Sequence, residues 1–314
     1  MNEAPSLIVT ANALTKRFAG VAAVDGLSFA VNRGEIFGLV GPDGAGKTTT
    51  MRMLAGVLPP DGGSIAVDGV DVVADPEEGK QHISYMPQRF GLYEDLTVDE
   101  NIRFYADLFE VAAKVREERA KRLLAASGMS EFRSRLAGQL SGGMKQKLGL
   151  TCALVHTPKI LLLDEPTTGV DPVSRRDFWR ILYGLREDGV TILITTAYLD
   201  EAERCNHLAL LHSGRVLYCD TPAALKQHMP GALIVIASPA ARAVRSAIAE
   251  LAGVGNVILV GDGVHAVVDD AQVRIPTMRE ALQRAGVPFS DIAVGEPSIE
   301  DVFVALLENN GQRQ

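Results

Sequence analysis

The sequence predicts an α/β fold in two parts: a mixed sheet with a helical subdomain, then a smaller α+β unit. Three observations predict it. A glycine-rich segment, GPDGAGKT (Gly41–Thr48), follows the apolar run Ile36–Val40 and precedes helical spacing over Thr48–Leu58. That strand–loop–helix order is the context a phosphate-cradling loop needs. Beyond about residue 158, strand-length apolar runs alternate with amphipathic stretches, as in a parallel sheet covered by helices. After about Pro230 the composition shifts and the expected order becomes β-α-β-β-α-β, which suggests a ferredoxin-like sandwich. The expected domains are 1–228, with the helical subdomain at about 92–158, and 229–314.

From about residue 7 to 90, LIVTANAL, GLSFAV, IFGLVG and SIAVDG read as strands, with turns at NRG and DGG. Leu96–Glu110 has apolar residues at helical intervals, and Ala113–Ser127 is rich in Ala, Arg and Leu. A strand at Ile160–Leu163, helix Ser174–Asp188, strand Thr191–Thr195, helix Leu199–Cys205 and a hairpin around HSGRVLY follow. The second part reads as strand Ala232–Ser238, helix Ala240–Leu251, strands Asn256–Val260 and Val264–Val268, helix Thr277–Ala285 and strand Asp291–Val294. A closing helix, Ser298–Glu308, sets Ile299, Val302, Phe303 and Leu306 on one face.

The chain's 314 residues suffice for one full-sized domain and a smaller one. Hydrophobic residues reach 47% with only 5% aromatics, which fits a core of Val, Ile, Leu and Ala. A net charge of −8 with no Lys or Arg block argues against a nucleic-acid partner. No apolar stretch approaches the roughly 18 residues that span a bilayer. MNEAPSLIVT lacks the basic start and apolar run of a signal peptide, so a cytosolic chain is expected. Cys152, Cys205 and Cys219 lie far apart with no CxxC spacing and read as reduced structural thiols. None of His82, His156, His207, His212, His228 or His265 has a metal-ligand spacing.

The chemistry sits in short segments. Gly41, Gly44 and Gly46 allow backbone conformations that turn successive N–H groups toward phosphate oxygens. The following helix adds its positive end. Lys47 should reach the β- and γ-phosphates, and the Thr48 hydroxyl should ligate Mg²⁺. Asp43, Ala45 and Thr49 complete the loop. A carboxylate at 43 would weaken triphosphate binding slightly unless it points outward, which is the expectation. Asp164 ends the apolar run in ILLLDEP, where its carboxylate would hold Mg²⁺ through water. Glu165 beside it is the candidate base for the attacking water. Gln88, after a strand in YMPQRFGLY, can swing between water, metal and solvent. Between the two nucleotide motifs lies LSGGMKQK (Leu140–Lys147). Its Ser and glycines are of little use to an ATPase acting alone, because they serve to close over a nucleotide held by another cassette. The trio points to ATP hydrolysis by one half of a dimer.

With phosphate loop, glutamine loop, signature, Asp-ended strand and Glu in order over roughly residues 7–225, the chain resembles the ATP-binding cassette (ABC) family. The resemblance implies a P-loop NTPase cassette with ATP and Mg²⁺ as ligands. It also places Phe18 against adenine, Asp171 at the dimer interface, and Ser141, Gly142 and Gly143 on the γ-phosphate held by the partner cassette. Met144 stands where Gln is commoner, with little loss expected. GPDGAGKTT, YMPQRFGLYEDLTV, LSGGMKQKLGL and YLDEAERC are similar to the multidrug-exporter branch, of the daunorubicin-resistance type and of tandem exporters of the YbhF kind. The terminal PSIEDVFVALL fits that branch too. Such exporters pair two cassettes with two transmembrane permease subunits, so this chain would sit on the cytoplasmic face of the membrane. Arg89, Phe90, Leu92 and Tyr93 would receive a short helix of the membrane subunit, unless FGLY packs internally.

One departure stands out. The family has a His after the strand that follows Asp164, whereas this chain reads Ile194-Thr195-Thr196-Ala197-Tyr198. Losing that imidazole's bond to the γ-phosphate costs about 1.5–3 kcal/mol, or roughly one to two decades in rate. Ala197 thus suggests a slow site paired with a complete second cassette, or two slow sites in a homodimer, or a compensated change. An importer ATPase and a non-transport cassette protein are the alternatives to an exporter. A translation-factor type would carry two cassettes in one chain, and a DNA-repair type a coiled coil before the signature.

Overall fold

The computed structural model describes residues 6–89, 91–261 and 263–311, which form two compact units, Met1–Asp220 and Thr221–Gln314. The first opens on β1 (Leu7–Phe18), β2 (Val21–Asn32) and β3 (Ile36–Val40), then α1 (Lys47–Leu54), β4 (Gly62–Val67) and β5 (Val70–Asp71). Next come α2 (Pro76–His82), β6 (Ile83–Met86), α3 (Val98–Leu108), α4 (Ala113–Ser127) and α5 (Gly142–Leu154). It closes with β7 (Ile160–Asp164), α6 (Pro172–Glu187), β8 (Thr191–Thr196), α7 (Leu199–Ala202), β9 (His207–His212) and β10 (Arg215–Asp220).

Two sheets carry this unit. An antiparallel one has the order β2-β1-β4-β5, and a six-stranded one runs β10-β9-β3-β8-β7-β6. The latter is parallel except for the β9–β10 hairpin, whose Ser213 and Gly214 both take positive φ (49° and 78°), as a tight two-residue hairpin turn requires. Strands β3, β7 and β8 are buried along their whole length, so they read as apolar runs rather than as alternation. The first sheet's pairing and the elements β5 and α2 had no counterpart in the sequence reading. The separate antiparallel sheet joins two hairpins through the long-range pairing of β1 with β4, and α2 is started by the Asp75 side chain, which accepts from Glu78 N, with Pro76 at the first helical position.

The helical subdomain has its own core of Val98, Ile102, Ala106, Leu124, Leu140, Leu148 and Cys152. Helix α3 starts at a capping box in which Thr97 and Glu100 bond reciprocally, worth about 1 kcal/mol. Backbone bonds from Ala137 to Leu96 (2.8 Å), Val98 to Arg135 (2.9 Å) and Asp99 to Arg133 (3.0 Å) seam the stretch after Gln88 to the stretch before Ser141. Lys145 bonds Glu94 at 2.6 Å across the same seam. Leu92 packs into this core, while Tyr93 stays half exposed and meets Phe104 edge-on at 4.6 Å. Arg89 is exposed, and Phe90 lies outside the described residues.

His156 follows α5, its ring stacked on Phe109 at 3.8 Å. Burial, helped by the Arg119 guanidinium, pushes its pKa down to about 4. Between pH 6.5 and 4 the unfolded chain therefore takes up a proton that the folded one refuses, and stability falls as pH drops through that window. His156→Phe keeps the stacked ring and should lose less of its urea midpoint than the parent between pH 7 and pH 5.

The second unit comprises α8 (Pro222–Gln227), β11 (Ala232–Ala237), α9 (Ala241–Ile248), β12 (Val254–Val260), β13 (Gly263–Val268), α10 (Ala271–Arg284), β14 (Asp291–Val294) and α11 (Ile299–Gly311). Its antiparallel sheet has the order β12-β13-β11-β14, the ferredoxin-like arrangement. Val244, Ile248, Met278 and Leu282 of the helices pack on Ile234, Ile236, Val264 and Ala266. The division falls after Asp220, ahead of the residue 228 read from sequence, because α8 packs against α11. Helix α10 begins at Ala271 rather than Thr277. Asp270 caps it by accepting from Gln272 N and Val273 N, and Pro276 is accommodated inside at the loss of one ladder bond. Ile299, Val302, Phe303 and Leu306 are buried on one side of α11, and buried Asp301 accepts from the Ser298 hydroxyl (2.6 Å) while pairing with His265 (2.9 Å). Among the described residues no helix is long and apolar enough to cross a membrane.

Candidate active site

The phosphate loop leaves β3 and enters α1 under tight backbone constraint. A Cβ on Gly41 would run into the Leu211 carbonyl oxygen, and one on Gly46 would lie 2.5 Å from Ala23 O. Gly46 also takes φ 99° as it starts α1. Ala45 is buried and Thr49 half-buried, while Asp43 and Gly44 are exposed at the rim. Asp43 is thus in contact with solvent and also lines the cleft. Lys47, 4% exposed, donates to Gly41 O (2.8 Å) and Pro42 O (3.0 Å), and its Nζ lies 3.0 Å from Glu165 Oε1.

Asp164 ends β7, buried, and three hydroxyls converge on it. Thr48 (3.1 Å) and Thr195 (2.7 Å) donate to Oδ1, and Tyr85 (3.3 Å) donates to Oδ2. Burial, followed by the Asp164 charge, pushes the Tyr85 phenol up to about 12, so it stays a donor at neutral pH. Glu165 is held from three sides: its N–H donates to Thr195 Oγ1 (2.8 Å), and its Oε2 accepts from Gln88 Nε2 (3.1 Å) and Thr168 Oγ1 (3.4 Å). Lys47, Thr48, Gln88 and Glu165 with Gly44 and Gly46 line one cleft of about 410 Å³.

Other residues singled out by sequence lie apart from this cleft. Phe18 ends β1 and is 49% exposed, so it is not a core phenylalanine. Ser141 and Gly142 are exposed at the start of α5, where the Ser141 hydroxyl accepts from Met144 N (3.3 Å). Gly143 is buried because a Cβ there would come 2.6 Å from Ser174. Asp171 caps α6 through Val173 N and Ser174 N, and the bonds from Ser174 lower its pKa. Ala197 is exposed just past β8.

Beneath Ala197 lies a network that the sequence did not disclose. Glu201, fully buried, accepts from Thr167 (3.0 Å) and Thr196 (2.9 Å), with Arg175 Nε 3.6 Å from its other oxygen. Arg175 also lies over the Tyr198 ring at 4.1 Å. The one available signal was the hydroxyl pair, Thr195-Thr196, directly after the apolar run Ile192–Ile194.

The hydroxyl of Thr48 and the carboxylate of Asp164, 3.1 Å apart beside a phosphate loop, form the hard oxygen donor set that Mg²⁺ takes. Gln88 adds an amide within reach of Glu165.

Comparison with known proteins agrees with this geometry. The model of the family "ABC transporter" matches residues 24–168. The probable multidrug ABC transporter ATP-binding protein YbhF of Escherichia coli is 44% identical over 99% of this chain, which spans only 53% of that relative. The daunorubicin/doxorubicin resistance ATP-binding protein DrrA of Streptomyces peucetius is 36% identical over 98% of this chain and 94% of its own length. Among solved structures, an ATP-binding subunit of an ABC transporter superposes with a TM-score of 0.64 at 30% identity, covering 70% of this chain and 92% of its own. A dimeric ATP-binding cassette bound to ADP and Pi, MJ0796, does so at 0.62 and 25% identity, covering 68% and 98%. Loop, acidic pair and full-length relatives agree: the chain belongs to the ABC transporter family, as one of its ATP-binding proteins.

Proposed function

We propose that this chain hydrolyses ATP as one half of a cassette dimer that powers an exporter of drugs or other small molecules through separate membrane subunits. The observation that carries the reading is the convergence of Lys47, Gln88 and Glu165 in one cleft, with Ser141–Gly143 outside it. A cradle and a base are thus present without the lid, and the signature is free to serve a partner cassette's nucleotide.

The loop N–H groups and Lys47 bind the triphosphate, and a triphosphate competes with Glu165 for the Lys47 ammonium. Bound Mg²⁺ neutralises charge on the phosphates; Thr48 and Asp164 are the residues placed to hold it. Glu165 takes the proton of the attacking water, and Gln88, bonded to its carboxylate, helps to place that water. Phe18, exposed at the end of β1, offers its face to the base. Asp171 and Ser141–Gly143 engage the partner cassette.

The methyl group of Ala197 has no hydrogen-bond donor to offer a γ-phosphate, which supports a slow site here. A different, complete partner cassette would then place its nucleotide against Ser141–Gly143 and carry most of the turnover; a homodimer with two slow sites is the second reading. The full-length likeness to DrrA, named for drug resistance, favours export over import. The chain would lie peripherally on the cytoplasmic face, with exposed Arg89 and Tyr93 receiving a short helix of the membrane subunit.

The test is a tagged pull-down from detergent-solubilised native membranes with every subunit identified and counted. A His-containing second cassette beside a membrane subunit supports the asymmetric exporter. This chain alone with the membrane subunit supports the homodimer. Recovery without any membrane subunit sinks the transport reading.

A further inference from the structure

Thr195 stands two residues before Ala197 and carries none of the roles assigned above, yet it touches both acidic residues of the site. In β8 it pairs with Asp164 on β7 and with Leu39 on β3, so it stands mid-sheet at the strand ends facing the phosphate loop. Its side chain has no exposure. A backbone N–H can only donate, so the bond from Glu165 N (2.8 Å) occupies a lone pair of the hydroxyl and leaves its single proton for Asp164 Oδ1 (2.7 Å). One hydroxyl therefore orients the carboxylate beside Thr48 and the backbone that carries the base.

That backbone needs holding. Glu165 takes φ 47°, in the left-handed region that a residue with a long side chain seldom enters. Such a conformation persists only where its surroundings determine it. From it the carboxylate reaches Lys47 on one oxygen and Gln88 on the other.

We propose that Thr195 is a positioning residue for ATP hydrolysis, fixing the Asp164 carboxylate for Mg²⁺ and the Glu165 backbone for its work as base. The inference rests on the roles proposed above for those two acids. Thr195→Val keeps the shape and removes the hydroxyl, leaving a buried N–H and a buried carboxylate oxygen each short of a partner.

The experiment compares Thr195→Val, Thr195→Ser and Glu165→Gln in the full chain, purified with whatever subunits accompany it. Thr195→Val should lower kcat about tenfold or more while KM for ATP moves less than about twofold. The Mg²⁺ concentration that half-saturates binding of a fluorescent ATP analogue should rise several-fold. Thr195→Ser should recover most of both. If Thr195→Val matches the parent in kcat and Mg²⁺ dependence while Glu165→Gln is silent, the assignment is overturned. It is equally overturned if Thr195→Val only lowers the thermal midpoint, or if Thr195→Ser is no better than Thr195→Val. An active Glu165→Gln removes instead the reading of Glu165 on which the assignment depends.

Discussion

Glu165→Gln is expected to cut ATP turnover by about two to four orders of magnitude while leaving ATP bound. The substitution keeps the length of the side chain and an oxygen for the Gln88 amide, and takes away only the charge and the basic lone pair. Lys47, now paired with Glu165 at 3.0 Å, loses that competitor and is left to phosphate, so affinity should hold or rise. An ATP-stabilised cassette dimer that no longer turns over should therefore accumulate. The readouts are steady-state phosphate release, binding of a fluorescent ATP analogue, and elution volume with and without ATP. Turnover above about a tenth of the parent's would take the base role from Glu165.

Ala197→His is expected to move the rate the other way, raising turnover of this chain's own site by about one to two decades. The position suits the experiment. Ala197 is exposed, so an imidazole displaces no core atoms. The backbone on either side is pinned, with Thr196 O accepting from Gly41 N (3.3 Å) and Thr196 Oγ1 accepting from Tyr198 N (3.0 Å). The gain should vanish in combination with Glu165→Gln, which places it at the same site. In a dimer with a complete second cassette the effect is best read from single-turnover phosphate release, because the faster site dominates the steady state. No gain, with ATP binding intact, would mean that Ala197 is already compensated.

Much of the cassette was legible because its chemistry lies in contiguous segments. Gly41–Thr48, Asp164-Glu165 and Ser141–Gly143 each carry their neighbours with them, and the structure gathers loop, Glu165 and Gln88 in one cleft, with Asp164 bonded to Thr48. The ferredoxin-like order of the second unit was legible too, since alternation of strand and helix survives without knowledge of pairing. Thr195 and Tyr85 were not, because their partners are set by strand register, nor was Glu201, whose partner Thr167 is distant in sequence. Thr195 faces Asp164 only because β8 lies beside β7 in that register. The start of α10 was missed for a local reason: Pro276 reads as a boundary, but the Asp270 cap begins the helix five residues ahead of it, at Ala271.

The left-handed backbone at Glu165 bears on how a site of this kind can decay. Chain geometry there would favour Gly or Asn, and keeping a long carboxylate side chain costs on the order of 1–3 kcal/mol. A drift from Glu165 to either residue would relieve that strain while silencing the chemistry. Relief of that strain offsets part of what losing the Lys47 pairing costs, so a cassette held only for its architecture can shed this base at a reduced cost in stability.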